Sequence, residues 1–144
     1  MSEGGYLLDI NVLVALIDDS HMHHSLVTRW FDTIRGKEWG VCVFTEAGFL
    51  RVMTRPTTGI LTVSEATEAL DRLSRQPGYR FWPLSQEWSR TTAPFRSRVF
   101  GHQQIKDAYL LGLAVQENGI FVTLDKAIRH MAAQEFAPNL LVLE

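Results

Sequence analysis

Tyr6-Leu7-Leu8-Asp9-Ile10-Asn11-Val12-Leu13-Val14-Ala15-Leu16-Ile17 is a run of core-seeking residues broken by one carboxylate and one amide. Its start, Tyr6 to Leu8, reads as a strand, and the apolar stretch beyond Asn11 reads as a helix through Ile17. A carboxylate inside such a run demands an explanation, because burying it without a partner costs several kcal/mol. Something must compensate the charge of Asp9.

Outward from this stretch, strands and helices alternate. Leu26, Val27, Trp30, Phe31 and Ile34 mark one helical face, with Gly36 as its stop. Val41 to Phe44 reads as a short buried strand, followed by Thr45 as N-cap of a helix from Glu46 towards Thr54 that Pro56 and Gly59 end. Ser64, Glu65 and the stripe Ala66, Ala69, Leu70, Leu73 predict a further helix closed by Pro77 and Gly78. Arg80 to Leu84 is strand-like, and Pro83 places it at an edge or strand end.

Residues 85–101 allow helical stretches on either side of Pro94. Lys106 to Gln116 is apolar almost all round, as a buried helix should be, with Gly119 as its stop. Ile120 to Leu124 is a strand, Asp125 begins a short helix through about Met131, and Leu140 to Leu143 forms a final strand. This alternation implies an α/β fold with a parallel sheet covered on both faces.

At 144 residues, with 46% hydrophobic and 21% charged, the composition fits one domain over residues 1–144. No apolar stretch is long enough for a membrane span, and Met1 to Gly5 lacks the basic-then-apolar order of a signal peptide, so the expected location is cytoplasmic. The single cysteine, Cys42, is expected as a buried thiol. The net charge of −2 excludes nucleic-acid binding by bulk basicity, but not a nuclease, whose metal-holding carboxylates lower the charge.

Four acids share a kind of position. Asp9 and Asp125 follow strands, Glu46 follows a strand and begins a helix, and Asp107 opens the buried helix. In an open parallel sheet such boundaries meet at one edge, where ligands bind. Singly, Asp107 and Asp125 also fit helix N-caps, and Glu46 a first-turn acid. A divalent cation explains all four together, since carboxylate oxygens suit magnesium or manganese. His21, His23 and His24 lack a zinc spacing and read as a solvated turn. There is no glycine-rich phosphate loop, no GxSxG elbow and no cysteine in a catalytic setting.

The segments Leu7-Leu8-Asp9-Ile10-Asn11-Val12-Leu13, Thr45-Glu46-Ala47-Gly48-Phe49-Leu50-Arg51, Lys106-Asp107-Ala108-Tyr109-Leu110 and Val122-Thr123-Leu124-Asp125 resemble, in order, the acidic motifs of PIN-domain nucleases. Within that family the chain is similar to the small VapC-type toxins of bacterial toxin-antitoxin pairs. The resemblance implies a PIN-like three-layer α/β/α domain with a mostly parallel sheet of about five strands. It implies that Asp9, Glu46, Asp107 and Asp125 hold one or two Mg2+ or Mn2+ ions, with Asn11 and Thr123 in support. The implied reaction is hydrolysis of RNA phosphodiesters, leaving a 5′-phosphate and a 3′-hydroxyl.

The same resemblance implies a cognate antitoxin that blocks the groove with a helix and a basic residue, a homodimer, and transfer or ribosomal RNA as substrate. Arg51, Arg55 and Lys106 are the expected phosphate contacts. Arg96, Arg98 and His102 are secondary candidates, and Trp39, Trp82 and Trp88 fit core packing better than base stacking. Other readings are a PIN-like nuclease in RNA processing, a non-cleaving RNA or partner binder, and a receiver-like signalling domain. The last would need paired acids near the first strand and a lysine standing alone after a late one. Crowding of the acids further predicts that Asp9→Asn or Asp125→Asn raises the melting temperature of the metal-free protein.

Overall fold

The computed structural model of the chain describes residues 4–144, so the reading of Met1 to Gly5 falls mostly outside them. β1 (Tyr6–Leu8), β2 (Trp39–Gly40), β3 (Ile120–Thr123) and β4 (Leu140–Val142) form one parallel sheet in the order β2-β1-β3-β4. The expected fifth strand is reduced to a single parallel bridge between Tyr79 and Trp39. Beyond it the chain still donates from Arg80 N to Trp39 O (2.8 Å) and from Trp82 N to Val41 O (2.9 Å). The donors are alternate residues, so the nitrogen of Pro83 falls on the side away from β2, the open edge of the sheet, where no N–H is needed.

The helices are α1 (Ile10–Ile17), α2 (His24–Thr33), α3 (Val43–Met53), α4 (Val63–Leu73), α5 (Trp88–Thr92), α6 (Ile105–Gln116) and α7 (Ile128–Ala132). Short 3-10 turns occupy Ala93–Arg98, His102–Gln104 and Ala137–Asn139. The side-chain period of two along a strand sends alternate residues to opposite faces. Leu8 and Val122 enter a core shared with α1 to α4, whereas Leu7 and Phe121 enter a second core under α6, α7 and Phe95. Both faces of the sheet are therefore covered, giving the three layers.

Several boundaries differ from the sequence reading. The run Val41 to Phe44 is not a strand: β2 ends at Gly40, Cys42 is the N-cap of α3 and Val43 and Phe44 open that helix; a short apolar run does not separate the two by periodicity. Thr45 is no N-cap: it lies inside α3 and its hydroxyl donates to Leu8 O at 2.9 Å, tying the helix to β1. Helix α1 begins at Ile10, before Asn11, because Asp9 itself caps it. The helix after Asp125 begins only at Ile128. The turn after α6 is made by Asn118, with φ of 56°, while Gly119 is required for space, since a Cβ there would come within 2.6 Å of the Trp82 ring. A capping box of Thr62 and Glu65, two residues earlier than Ser64 suggested, starts α4.

Candidate active site

From β1 the chain runs to β2 on one side, while β3 lies on the other, so the order reverses between β1 and β3. In open α/β sheets the crevice beyond the carboxyl ends of the strands at such a point is where ligands bind. Asp9 is the first residue after β1, and Thr123 ends β3 beside it. Asp107, in the first turn of α6, approaches from the second helical layer.

Asp9 is 1% exposed and its charge is compensated in full view. Oδ1 accepts from Ile10 N at 2.8 Å and from Lys106 Nζ at 3.0 Å, and Oδ2 accepts from the Thr123 hydroxyl at 2.7 Å. Thr123 Oγ1 in turn accepts from Asp125 N at 3.1 Å, joining the end of β3 to the turn that carries Asp125. Asp125 is exposed, and its Oδ1 accepts from Ala127 N at 2.9 Å, so it serves its own turn as well.

Asp107 is 7% exposed and less well served. Lys106 Nζ stands 2.9 Å from its Oδ1, but off the direction a hydrogen bond requires, and that buried oxygen receives no donor. Burial first, and then the Asp9 carboxylate, raise the Asp107 carboxyl above its ordinary value against the pull of Lys106, and Asp125 adds to the rise. On Lys106, burial acts to lower the ammonium, and the Asp9 and Asp107 carboxylates outweigh it, so the pKa is raised. Asp107 thus feels both Asp9 and Asp125 across the switch point, with one ammonium between it and Asp9.

Glu46 is not brought into this group. At about 100° per residue, it lies on the side of α3 opposite Gly48 and Arg51. Its carboxyl is raised by burial and then by Asp71 of α4, and the Tyr79 phenol is raised by burial and then by Glu46. The Gly48 face is the one that meets Asp9's helix: a Cβ at Gly48 would overlap the Ile10 side chain. A glycine inside a helical pattern was the available sequence signal for that close approach.

That face also walls an open cavity of about 540 Å³ bordered by Ile10, Gly48, Arg51, Arg55, Pro56 and Lys106. Arg51 and Arg55 are exposed there. Asn11 is exposed in the first turn of α1 and makes none of the site's hydrogen bonds. Arg96 and Arg98 are engaged elsewhere, donating to Ser89 O and to Met131 O at 2.6 and 2.8 Å, and so brace the segment before α6. Trp39 and Trp82 are 2% and 1% exposed and belong to the cores.

The donor set fits a hard divalent cation. It consists of carboxylate oxygens, one of them buried with no donor, at a position that already draws a cationic ammonium. Among the described residues, no three His, Cys, Asp or Glu side chains stand close enough to form a finished coordination shell.

Residues 6–134 match the family model described as PIN domain. The ribonucleases VapC44 and VapC38 of Mycobacterium tuberculosis are 36% and 35% identical to the chain, over 85% and 89% of it and 87% and 90% of their own lengths. Among solved structures, VapBC2 from Rickettsia felis, bound to a DNA fragment from its promoter, superposes with a TM-score of 0.68 at 13% identity, covering 97% of this chain and 99% of that one. FitAcB from Neisseria gonorrhoeae does so with a TM-score of 0.62 at 18% identity, covering 96% of each. These last two likenesses concern the fold.

Proposed function

The chain belongs to the PIN-domain family, and on that footing we propose that it is a metal-dependent endoribonuclease, the toxin of a toxin-antitoxin pair. The observation that carries the reading is the group at the switch point: Asp9 and Asp107 converging on one cation, Asp125 pressing on Asp107, and a buried Asp107 oxygen without a donor. The ribonuclease names of the relatives support RNA as the substrate class. Structured RNAs, transfer and ribosomal, are the first to try.

Asp9 and Asp107 would hold the Mg2+ or Mn2+ ion, with Asp125 completing the negative site. When bound, such an ion supplies a water made nucleophilic near neutral pH and offsets charge on the phosphate oxygens. The chain's own residues prepare the rest. Thr123 and Ile10 N fix the plane of the Asp9 carboxylate. Arg51 and Arg55 border the groove next to the acids, where bidentate guanidinium contacts would hold the phosphates on either side of the scissile bond.

Glu46 stands outside this set on the geometry above, although its motif matches the family's second acid. An antitoxin would act by filling the groove with a helix and setting a basic residue against the acids, and a homodimer is the expected state of the free toxin.

The test is cleavage of end-labelled transfer and ribosomal RNA by the purified protein, with and without Mg2+ or Mn2+. Cutting that leaves a 5′-phosphate and a 3′-hydroxyl, and that falls at least ~100-fold in Asp107→Asn or on chelation, is expected. Cleavage that persists through both controls would sink the mechanism.

A further inference from the structure

We propose that Lys106 is the resident cation of the acidic centre: its ammonium holds the place a divalent ion must take, and metal uptake moves it to the groove wall beside Arg51 and Arg55. The inference rests on the metal-dependent reading above and concerns what that metal must displace.

Four observations converge. First, Lys106 Nζ lies 3.0 Å from Asp9 Oδ1 and 2.9 Å from Asp107 Oδ1, so it bridges carboxylates carried by different helical layers. A hard cation bridging those acids seeks the same oxygens, and two cations cannot share them without strong repulsion. Second, the two carboxylates are almost fully buried whereas the lysine side chain is 37% exposed, so the acids stay and the lysine can leave. Its four-carbon stem is flexible and its charge compact, unlike the planar fork of an arginine.

Third, the departure has a destination. Lys106 already borders the cavity shared with Arg51 and Arg55, so rotation of its stem adds a third positive charge to the wall that faces RNA phosphates. Fourth, one ammonium satisfies the group incompletely. It reaches two of the three carboxylates, Asp9 and Asp107, leaves Asp107 Oδ1 without a donor and makes no ion pair with Asp125. Lys106 therefore steadies the metal-free centre without matching what a divalent ion offers, and the binding of metal and the arming of the groove become one event.

The experiment combines isothermal titration of Mn2+ into wild type, Lys106→Gln and Asp107→Asn with NMR of the lysine side chains. The chain has only three lysines, Lys37, Lys106 and Lys126, so the signals are few. Lys106→Gln is expected to bind Mn2+ at least ~5-fold more tightly than wild type, the low end of coupling between competing ligands. Addition of Mg2+ to wild type should sharpen and shift the Lys106 Cε–H signals while leaving those of Lys37 in place.

Equal or weaker Mn2+ binding by Lys106→Gln, with wild-type binding still dependent on Asp107, would overturn the resident-cation proposal and leave the metal reading standing. An unmoved Lys106 signal in metal-saturated wild type would do the same. If wild type and Lys106→Gln both fail to bind Mn2+, the metal reading falls and this proposal with it.

Discussion

Thr123 uses one hydroxyl for two bonds, donating to Asp9 Oδ2 and accepting from Asp125 N. Replacing it with valine keeps the shape and strands a buried carboxylate oxygen and a backbone N–H. The expected loss is about 1–3 kcal/mol, seen as a lower urea midpoint with an unchanged slope, while Thr123→Ser recovers most of it; a Thr123→Val midpoint equal to wild type would refute the role. The same bonds reverse the sign expected for Asp9→Asn. Crowded acids alone would gain from neutralisation, but three donors converge on Asp9, and an amide must turn its own NH2 towards one of them. Asp9→Asn should therefore lower the melting temperature of the metal-free protein. In the sequence, Asp9 was legible because a carboxylate in an apolar run needs a partner. Thr123 looked equally like a strand former, and Lys106 showed only that it adjoins Asp107. The direction of a flexible stem is not written in its neighbours.

Elements were legible where periodicity was long and lost where it was short. The amphipathic stripe of α4 and the apolar cylinder of α6 fell close to their predicted places. The start of α3 did not, because Val43 and Phe44 look like strand residues while forming the first, partly exposed turn of a helix. Which face of α3 meets α1 and which meets α4 is set by packing, Gly48 against Ile10, and the family motif alone could not show it. With Glu46 turned towards α4, Glu46→Gln should keep RNA cleavage within about tenfold of wild type, roughly 1.4 kcal/mol. It should also stabilise the protein at neutral pH. The Glu46 carboxyl is raised above 4.5 by burial and by Asp71, so the folded state carries a cost whenever the group is ionised. As pH falls through the folded pKa towards 4.5, the folded form takes up its proton first and the cost disappears. The melting advantage of Glu46→Gln should shrink over that window; an advantage that stays constant from pH 7 to pH 4 would argue against the burial account, and a large loss of cleavage would return Glu46 to the centre.

At the scale of the whole molecule, the net charge of −2 conceals a groove walled by Arg51, Arg55 and Lys106 beside a cluster of acids. A partner made to silence the protein needs to cover only that side. Co-expression with the protein encoded by the adjacent gene should yield a complex that no longer cuts RNA and regains cutting when the partner is proteolysed; a complex that cuts as fast as the free chain would exclude occlusion. The site also straddles two separate cores. Asp9 hangs from β1 and α1, over one interior, and Asp107 from α6, over the other, so the gap between their oxygens is set by how tightly two helical layers clasp the sheet. Magnesium and calcium differ by a few tenths of an ångström in bond length. For the metal centre proposed above, the preference for one ion over another would thus be an adjustment made by the interior, and sequence drift beneath α6 would retune it while every acid stays in place.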